Sequence, residues 1–146
     1  MDRGDLIEIH QLLGLYGHVI DDGEWDRFDE LFAPDAELDY TGVRAPRVLH
    51  GIEEIRDYFR QANHPSAHHV TNIVAVERDG EVHVRSKFFA PYTRSTHDVL
   101  RLYGGDYDDV VVRTPHGWRF HRRTCTGRWQ LTFGDDPERP EHRRTW

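Results

Sequence analysis

Side chains able to move a proton fall in three clusters along this 146-residue chain. The first is Tyr16-Gly-His-Val-Ile-Asp21-Asp22-Gly-Glu-Trp25. Tyr16 and Ile20 share one face of a helical period and Asp21 stands at its end, so a phenol and a carboxylate can reach one space from a single segment. Asp21 or Asp22 equally suits the N-cap of a helix starting directly afterwards. The second cluster is Ala67-His68-His69-Val70-Thr71-Asn72, at the start of a β-rich stretch. Alternation puts His68, Val70 and Asn72 on one face and His69 and Thr71 on the other. A histidine on a pocket wall is the usual proton shuttle near neutral pH, and a neighbouring carboxylate fixes its tautomer and raises its basicity. Two adjacent rings at a strand start equally suit solvent. The third cluster, Tyr103, Gly105, Tyr107 and Asp109, reads either as a polar patch lining a pocket or as cross-strand pairs on a solvated face.

Other chemistries lack their residues. The eleven histidines are scattered, with no HExxH, no His-x-His and no paired cysteines, so no metal site is expected. Cys125 is the single cysteine. It has no activating partner in sequence, reads as a buried inert thiol, and suits a reducing cytoplasm. No nucleophile elbow or phosphate loop occurs, and no cofactor is expected. The net charge of −7 is a poor basis for binding a phosphate backbone. Arg119, Arg122, Arg123 and Arg128 are the one candidate for a local basic patch. No apolar run approaches the roughly 18 residues of a membrane span, and the acidic, helix-periodic first twenty residues do not read as a signal peptide.

The elements that must position these groups follow from periodicity. Leu6, Ile9, Leu12, Leu13, Tyr16, Val19 and Ile20 make one face of a helix from Asp5 to about Ile20, stopped at Asp21-Asp22-Gly23. Trp25, Phe28, Leu31 and Phe32 predict a second short helix ended by Pro34. Ala36 to Tyr40 predicts a strand, and Ile52, Ile55, Tyr58 and Phe59 a third helix. After that the chain reads as strands: His69 to Glu77, a hairpin turn at Arg78-Asp79-Gly80, Glu81 to Tyr92, Val99 to Arg113, and Trp118 to Leu131. A loop is expected around Arg94–His97, and Gly104-Gly105 marks a bend or bulge. In the last strand Trp118 and Phe120 are expected inside, with Arg119 and His121 outside. Residues 1–133 form one domain and 134–146 a charged tail. Helices first and long antiparallel strands afterwards give an α+β fold, a half-barrel with a strongly bent antiparallel sheet and helices enclosing one pocket.

The order Tyr16-x4-Asp21-Asp-Gly-x-Trp25-Asp-x-Phe28-x2-Leu31-Phe32-Ala-x-Asp35-Ala36, then Gly51-x3-Ile55-x2-Tyr58, resembles the SnoaL-like superfamily of cone-shaped, nuclear-transport-factor-2-like domains. So do His68-x2-Thr71-Asn72, Gly105-x-Tyr107 and Gly117-Trp118-Arg119. The superfamily holds polyketide cyclases, scytalone dehydratase, bile-acid 7α-dehydratase, hexachlorocyclohexane dehydrochlorinase and the small subunits of ring-hydroxylating dioxygenases. The resemblance, over about residues 5 to 130, implies an Asp–His dyad falling on Asp21 and His68, with the dehydratase tyrosine at Tyr16. It also implies a two-fold homodimer paired through the sheet. Where the dehydratases place a further acid or base on the fourth strand, this chain reads Phe88-Phe89-Ala90. The Asp-Arg-Asp group of limonene epoxide hydrolase is not found.

These readings converge on a cofactor-free lyase or isomerase acting on an apolar, oxygenated small molecule. His68, oriented by Asp21, abstracts a proton, and Tyr16 donates to the oxygen that gains charge. Trp25, Tyr40, Asn72, Phe88 and Tyr107 are the expected substrate-binding residues. The alternative is a non-catalytic pocket: a ligand-binding module or an oxygenase small subunit.

Overall fold

The computed structural model describes residues 1–43, 45, 47–62, 65, 67–93 and 100–133. The expected loop at Arg94–His97 and the tail from 134 to 146 lie outside the described residues. Helix α1 spans Arg3–Asp21 and opens on a capping box, in which the Asp2 side chain accepts from the Asp5 backbone and Asp5 answers to the Asp2 backbone. It stops where expected: Gly23 takes a left-handed φ of 67°. Its buried face carries Ile9, Leu12, Leu13, Tyr16, Val19 and Ile20.

The next element is a 3-10 helix, Trp25–Glu30, shorter than the periodicity predicts. Strand β1 (Phe32–Asp39) begins directly after it, so Phe32 and Pro34 lie in a strand rather than closing a helix. The pairing of β1 with the last strand shifts register between Phe32 and Glu37, and this irregularity is where a proline without an N–H can sit. β2 (Leu49–His50) and α2 (Ile52–Gln61) follow, and Ile52, Ile55 and Phe59 are the buried face of α2.

Four long strands complete the chain: β3 (His69–Arg78), β4 (Glu81–Thr93), β5 (Leu100–Thr114) and β6 (Gly117–Phe133). Asp79 and Gly80 both adopt positive φ, 54° and 82°, as a two-residue hairpin requires. The six strands run in the order β2-β1-β6-β5-β4-β3. All pairs are antiparallel except β1 with β6, which is parallel. The result is the curved, unclosed sheet of a cone-shaped α+β domain.

Register shifts decide which side chains face inward. One falls between Gly104 and Gly105, the expected bend. Here the indole of Trp129 lies across Gly104 so closely that a Cβ there would collide with it. The other falls between Val110 and Val111, opposite the stretch from Phe120 to Arg122. Trp118 and Phe120 are buried, as expected, but beyond this bulge the inward positions become Arg123 and Cys125. Val82, Val84, Phe88 and Ala90 of β4 complete the inner face, and α1 packs against β3 and β6 to close the core.

Candidate active site

Asp21, the last residue of α1, holds His68 at two points. Its Oδ2 accepts from the His68 backbone N–H at 2.7 Å, and its Oδ1 lies 2.5 Å from the ring Nδ1. Asp21 does not cap the following 3-10 helix, whose N-cap is Glu24. An ionised carboxylate only accepts, so the proton of this contact lies on Nδ1. The two side chains are largely withdrawn from solvent, at 18% exposure for Asp21 and 7% for His68. His69 faces the other way, exposed and stacked on Phe89 at 5.9 Å between ring centroids.

His68 lines a cavity of about 340 Å³. Tyr16 from α1, Tyr40 after β1, Phe88 from β4 and Tyr107 from β5 form its deep end, with Tyr58 and Phe59 supplied by α2. Tyr92, Tyr103, Trp129 and Gln130 also line it. The Tyr16 ring meets His68 edge to face at 6.1 Å, and the Tyr16 and Tyr40 hydroxyls are 2.6 Å apart. That bond uses one of the two phenolic protons, and the Tyr16 hydroxyl is also hydrogen-bonded with Tyr107. Burial pushes the Tyr16 phenol above its ordinary pKa, opposed by the nearby Arg123 charge. Tyr40 and Tyr107 are pushed further up by the same burial. All three therefore stay protonated at neutral pH.

Behind the phenols sits a buried cation. Arg123 is 1% exposed. Its Nε and Nη2 donate to the two oxygens of Asp109 at 2.8 and 2.9 Å. The guanidinium carbon lies 4.2 Å from the ring centroids of Tyr16 and Tyr107 and 3.9 Å from that of Phe120. Burial works against the charge, but the Asp109 carboxylate outweighs it and holds the guanidinium firmly protonated. A fixed positive charge against the Tyr16 ring favours any negative charge that develops at its hydroxyl.

Of the residues singled out from sequence, Asp21, His68, Tyr16, Tyr40, Phe88 and Tyr107 come together here. Two do not. Asn72 is exposed, at a positive φ of 53°, where the β3–β4 register shifts between Thr71 and Val74; the irregularity breaks the alternation that would have placed it beside His68. Trp25 packs edge to face on Phe28 at 5.7 Å and is not among the cavity's lining residues. The third cluster is resolved as well: Tyr103 and Tyr107 line the cavity, while Asp109 is buried against Arg123.

Arg123 is the group that strict alternation from Trp118 and Phe120 misses. The other candidate patch arginines are also engaged. Arg119 donates to the Asp29 carbonyl, Arg122 to Glu81 and Arg128 to Asp106, so these three arginines make ion pairs and carbonyl contacts rather than a free basic patch. Cys125 lines the cavity too; burial pushes its thiol up to about 12. Among the described residues, no three His, Cys, Asp or Glu side chains are placed to hold a metal ion, and no helix is long and apolar enough to cross a membrane.

A profile of the SnoaL-like domain matches residues 4–124. A Mycobacterium tuberculosis protein of uncharacterised function is 36% identical over 130 residues, covering 84% of this chain and 84% of its own length. The anthranilate 1,2-dioxygenase small subunit of Burkholderia cepacia is 29% identical over 135 residues, 82% of this chain and 84% of its own. Among solved structures, a hexachlorocyclohexane dehydrochlorinase superposes with a TM-score of 0.77 at 14% identity, covering 94% of this chain and 95% of the other. A Novosphingobium aromaticivorans protein provisionally named a scytalone dehydratase gives 0.76 at 20% identity, with 97% and 95% covered. At these identities the structural likeness speaks for the fold.

Proposed function

We propose, from the premise that this chain belongs to the SnoaL-like family, that it is a cofactor-free lyase or isomerase of dehydratase or cyclase type. The observation that carries this reading is the Asp21–His68 contact at the wall of an aromatic cavity. His68 Nε2 takes a proton from a carbon next to a carbonyl, and the Asp21 carboxylate stabilises the imidazolium. Tyr16, bonded to Tyr40 and set over Arg123, donates to the carbonyl oxygen as it gains charge. In a dehydration, a C–H bond breaks, a C=C bond forms, and hydroxide leaves with a proton as water. The β4 wall offers Phe88, Ala90 and the Tyr92 phenol but no carboxylic acid or imidazole, and in this reading the imidazolium returns that proton to the leaving oxygen. In a ring closure, the same carbanion attacks a second carbonyl instead. A positioned base supplies about 10²–10⁴-fold and an oxyanion donor about 10²–10³-fold. The substrate is a mostly apolar oxygenated molecule, suited to a cavity lined chiefly by rings.

Proton abstraction can be tested before the substrate is known. A panel of cyclic β-hydroxy ketones incubated with the protein in D2O should gain deuterium next to the carbonyl, read by NMR. The His68→Ala protein should not catalyse this exchange. Equal exchange with both proteins would end the catalytic reading.

The second reading, an oxygenase small subunit, is favoured by the dioxygenase relative. Such a chain buries its surface on a large subunit, whereas the catalytic reading takes a cytoplasmic homodimer paired through the outward sheet face, where Val74 and Val76 are exposed. Light scattering of the pure protein separates the two: a stable dimer supports the catalytic form, and a monomer counts against it. In either form the proposed domain is residues 1–133, with 134–146 as its tail.

A further inference from the structure

Resting on the dyad reading, we propose that Gly17 is a positioning residue for His68: its missing side chain lets the His68 backbone settle against α1, where Asp21 holds it. Gly17 is buried in the interior of α1, one turn before Asp21 and beside Tyr16. Its φ is not positive, so no special backbone conformation calls for glycine. Glycine is otherwise among the poorest helix formers. What calls for it is proximity. A Cβ at Gly17 would lie 3.1 Å from the His68 carbonyl oxygen and 3.7 Å from the His68 Cβ. Such a methyl would have to push the His68 backbone outward.

The His68 backbone is itself tied to Asp21. Both Asp21 contacts, at 2.7 and 2.5 Å, are already short and converge on the same residue. Moving the His68 main chain therefore loosens its N–H bond, its ring bond, or both. The ring also shifts relative to the edge of Tyr16, where a base must be held within about half an ångström. Gly14, one turn earlier in the same helix, provides the contrast: it is exposed, and a Cβ there meets nothing within 4 Å. An alanine meets open space at Gly14 and presses on the His68 backbone at Gly17.

The test compares Gly17→Ala with Gly14→Ala in the full chain, using thermal unfolding and the ¹⁵N NMR spectrum of the histidine rings, with His68 assigned by its loss in His68→Ala. The wild-type ring should show a protonated Nδ1 whose proton exchanges slowly. Gly14→Ala should raise the melting temperature and leave that ring unchanged. Gly17→Ala should gain less stability, and its His68 Nδ1 proton should exchange faster, with deuterium incorporation down roughly 10- to 100-fold. The Gly14→Ala/Gly17→Ala double variant repeats the ring measurement on a strengthened helix, so an unstable single variant does not end the test. An unchanged His68 ring in both Gly17 variants overturns the proposal. A wild-type His68 without a protonated, protected Nδ1 overturns the dyad reading itself, a result distinct from the first because it appears before any substitution.

Discussion

Two carboxylates, each bonded to a nitrogen base, lie beside the Tyr16 ring, and the two pairs differ in burial. Asp109–Arg123 is wholly enclosed: both side chains are at 0% exposure, joined by two parallel hydrogen bonds and capped by aromatic faces. Asp21–His68 lies at the cavity wall, with a partner whose ordinary pKa is near neutrality. A guanidinium in that enclosure cannot release its proton, so the first pair is a fixed charge. An imidazole can gain and lose one near neutral pH, and the proposed mechanism uses the second pair in that way. In the proposed mechanism, similar chemistry placed at two depths serves as foundation in one place and working part in the other.

The contrast breaks most visibly at the enclosed pair. Asp109→Ala leaves Arg123 charged and unpartnered, and denaturant unfolding should show a loss of about 3–5 kcal/mol. That is a large share of a typical total of about 5–15 kcal/mol. Replacing both members by apolar residues of similar volume, as in Asp109→Leu/Arg123→Met, should recover most of that loss while lowering activity, because the charge behind Tyr16 is gone. Full activity in the double variant would show that the cation serves packing alone.

At the open pair the balance should reverse. His68→Ala is expected to lower proton abstraction by about 10²–10⁴-fold while the melting temperature barely moves, and His69→Ala, on the outward side, should change little. Tyr16→Phe sharpens the comparison between the pairs. It keeps the ring over Arg123 and removes only the hydroxyl, so activity should fall by about 10²-fold with the fold intact. The smallest effect belongs to Cys125. With its thiol pushed up to about 12, the thiolate fraction at pH 8 is on the order of 10⁻⁴. Intact-mass measurement should find it unalkylated by iodoacetamide until the protein is unfolded.

Local signals made much of this fold legible in the sequence. The helix stop at Gly23, the Asp79-Gly80 hairpin and the bend at Gly104-Gly105 each depend on a few adjacent residues whose backbone preferences are strong. The meeting of Asp21 with His68 was legible only through the family resemblance, because nothing in spacing joins residues 47 positions apart. What escaped depends on register. One bulge opposite Phe120–Arg122 turns Arg123 from a surface residue into the charge at the centre of the core, and another near Asn72 carries that side chain away from the cavity. Period-two reading has no means of seeing an inserted residue. The helical spacing from Trp25 to Phe32 misled for a related reason: the parallel pairing of β1 with β6 claims Phe32 for the sheet, against its local pattern.

The indole laid across Gly104 gives the molecule its own optical reporter. Trp129 lines the cavity yet remains 44% exposed, 6.0 Å from Phe89 between ring centroids. A ligand entering beside it would strip water from that ring, moving its fluorescence to shorter wavelength. Trp25 and Trp118 pack away from the lining and contribute a steadier background. Titrating candidate ketones while watching emission would rank them by affinity before any reaction is known. Loss of the shift in Trp129→Phe would assign the signal to this position, turning one ring at the cavity's edge into a guide for the substrate search.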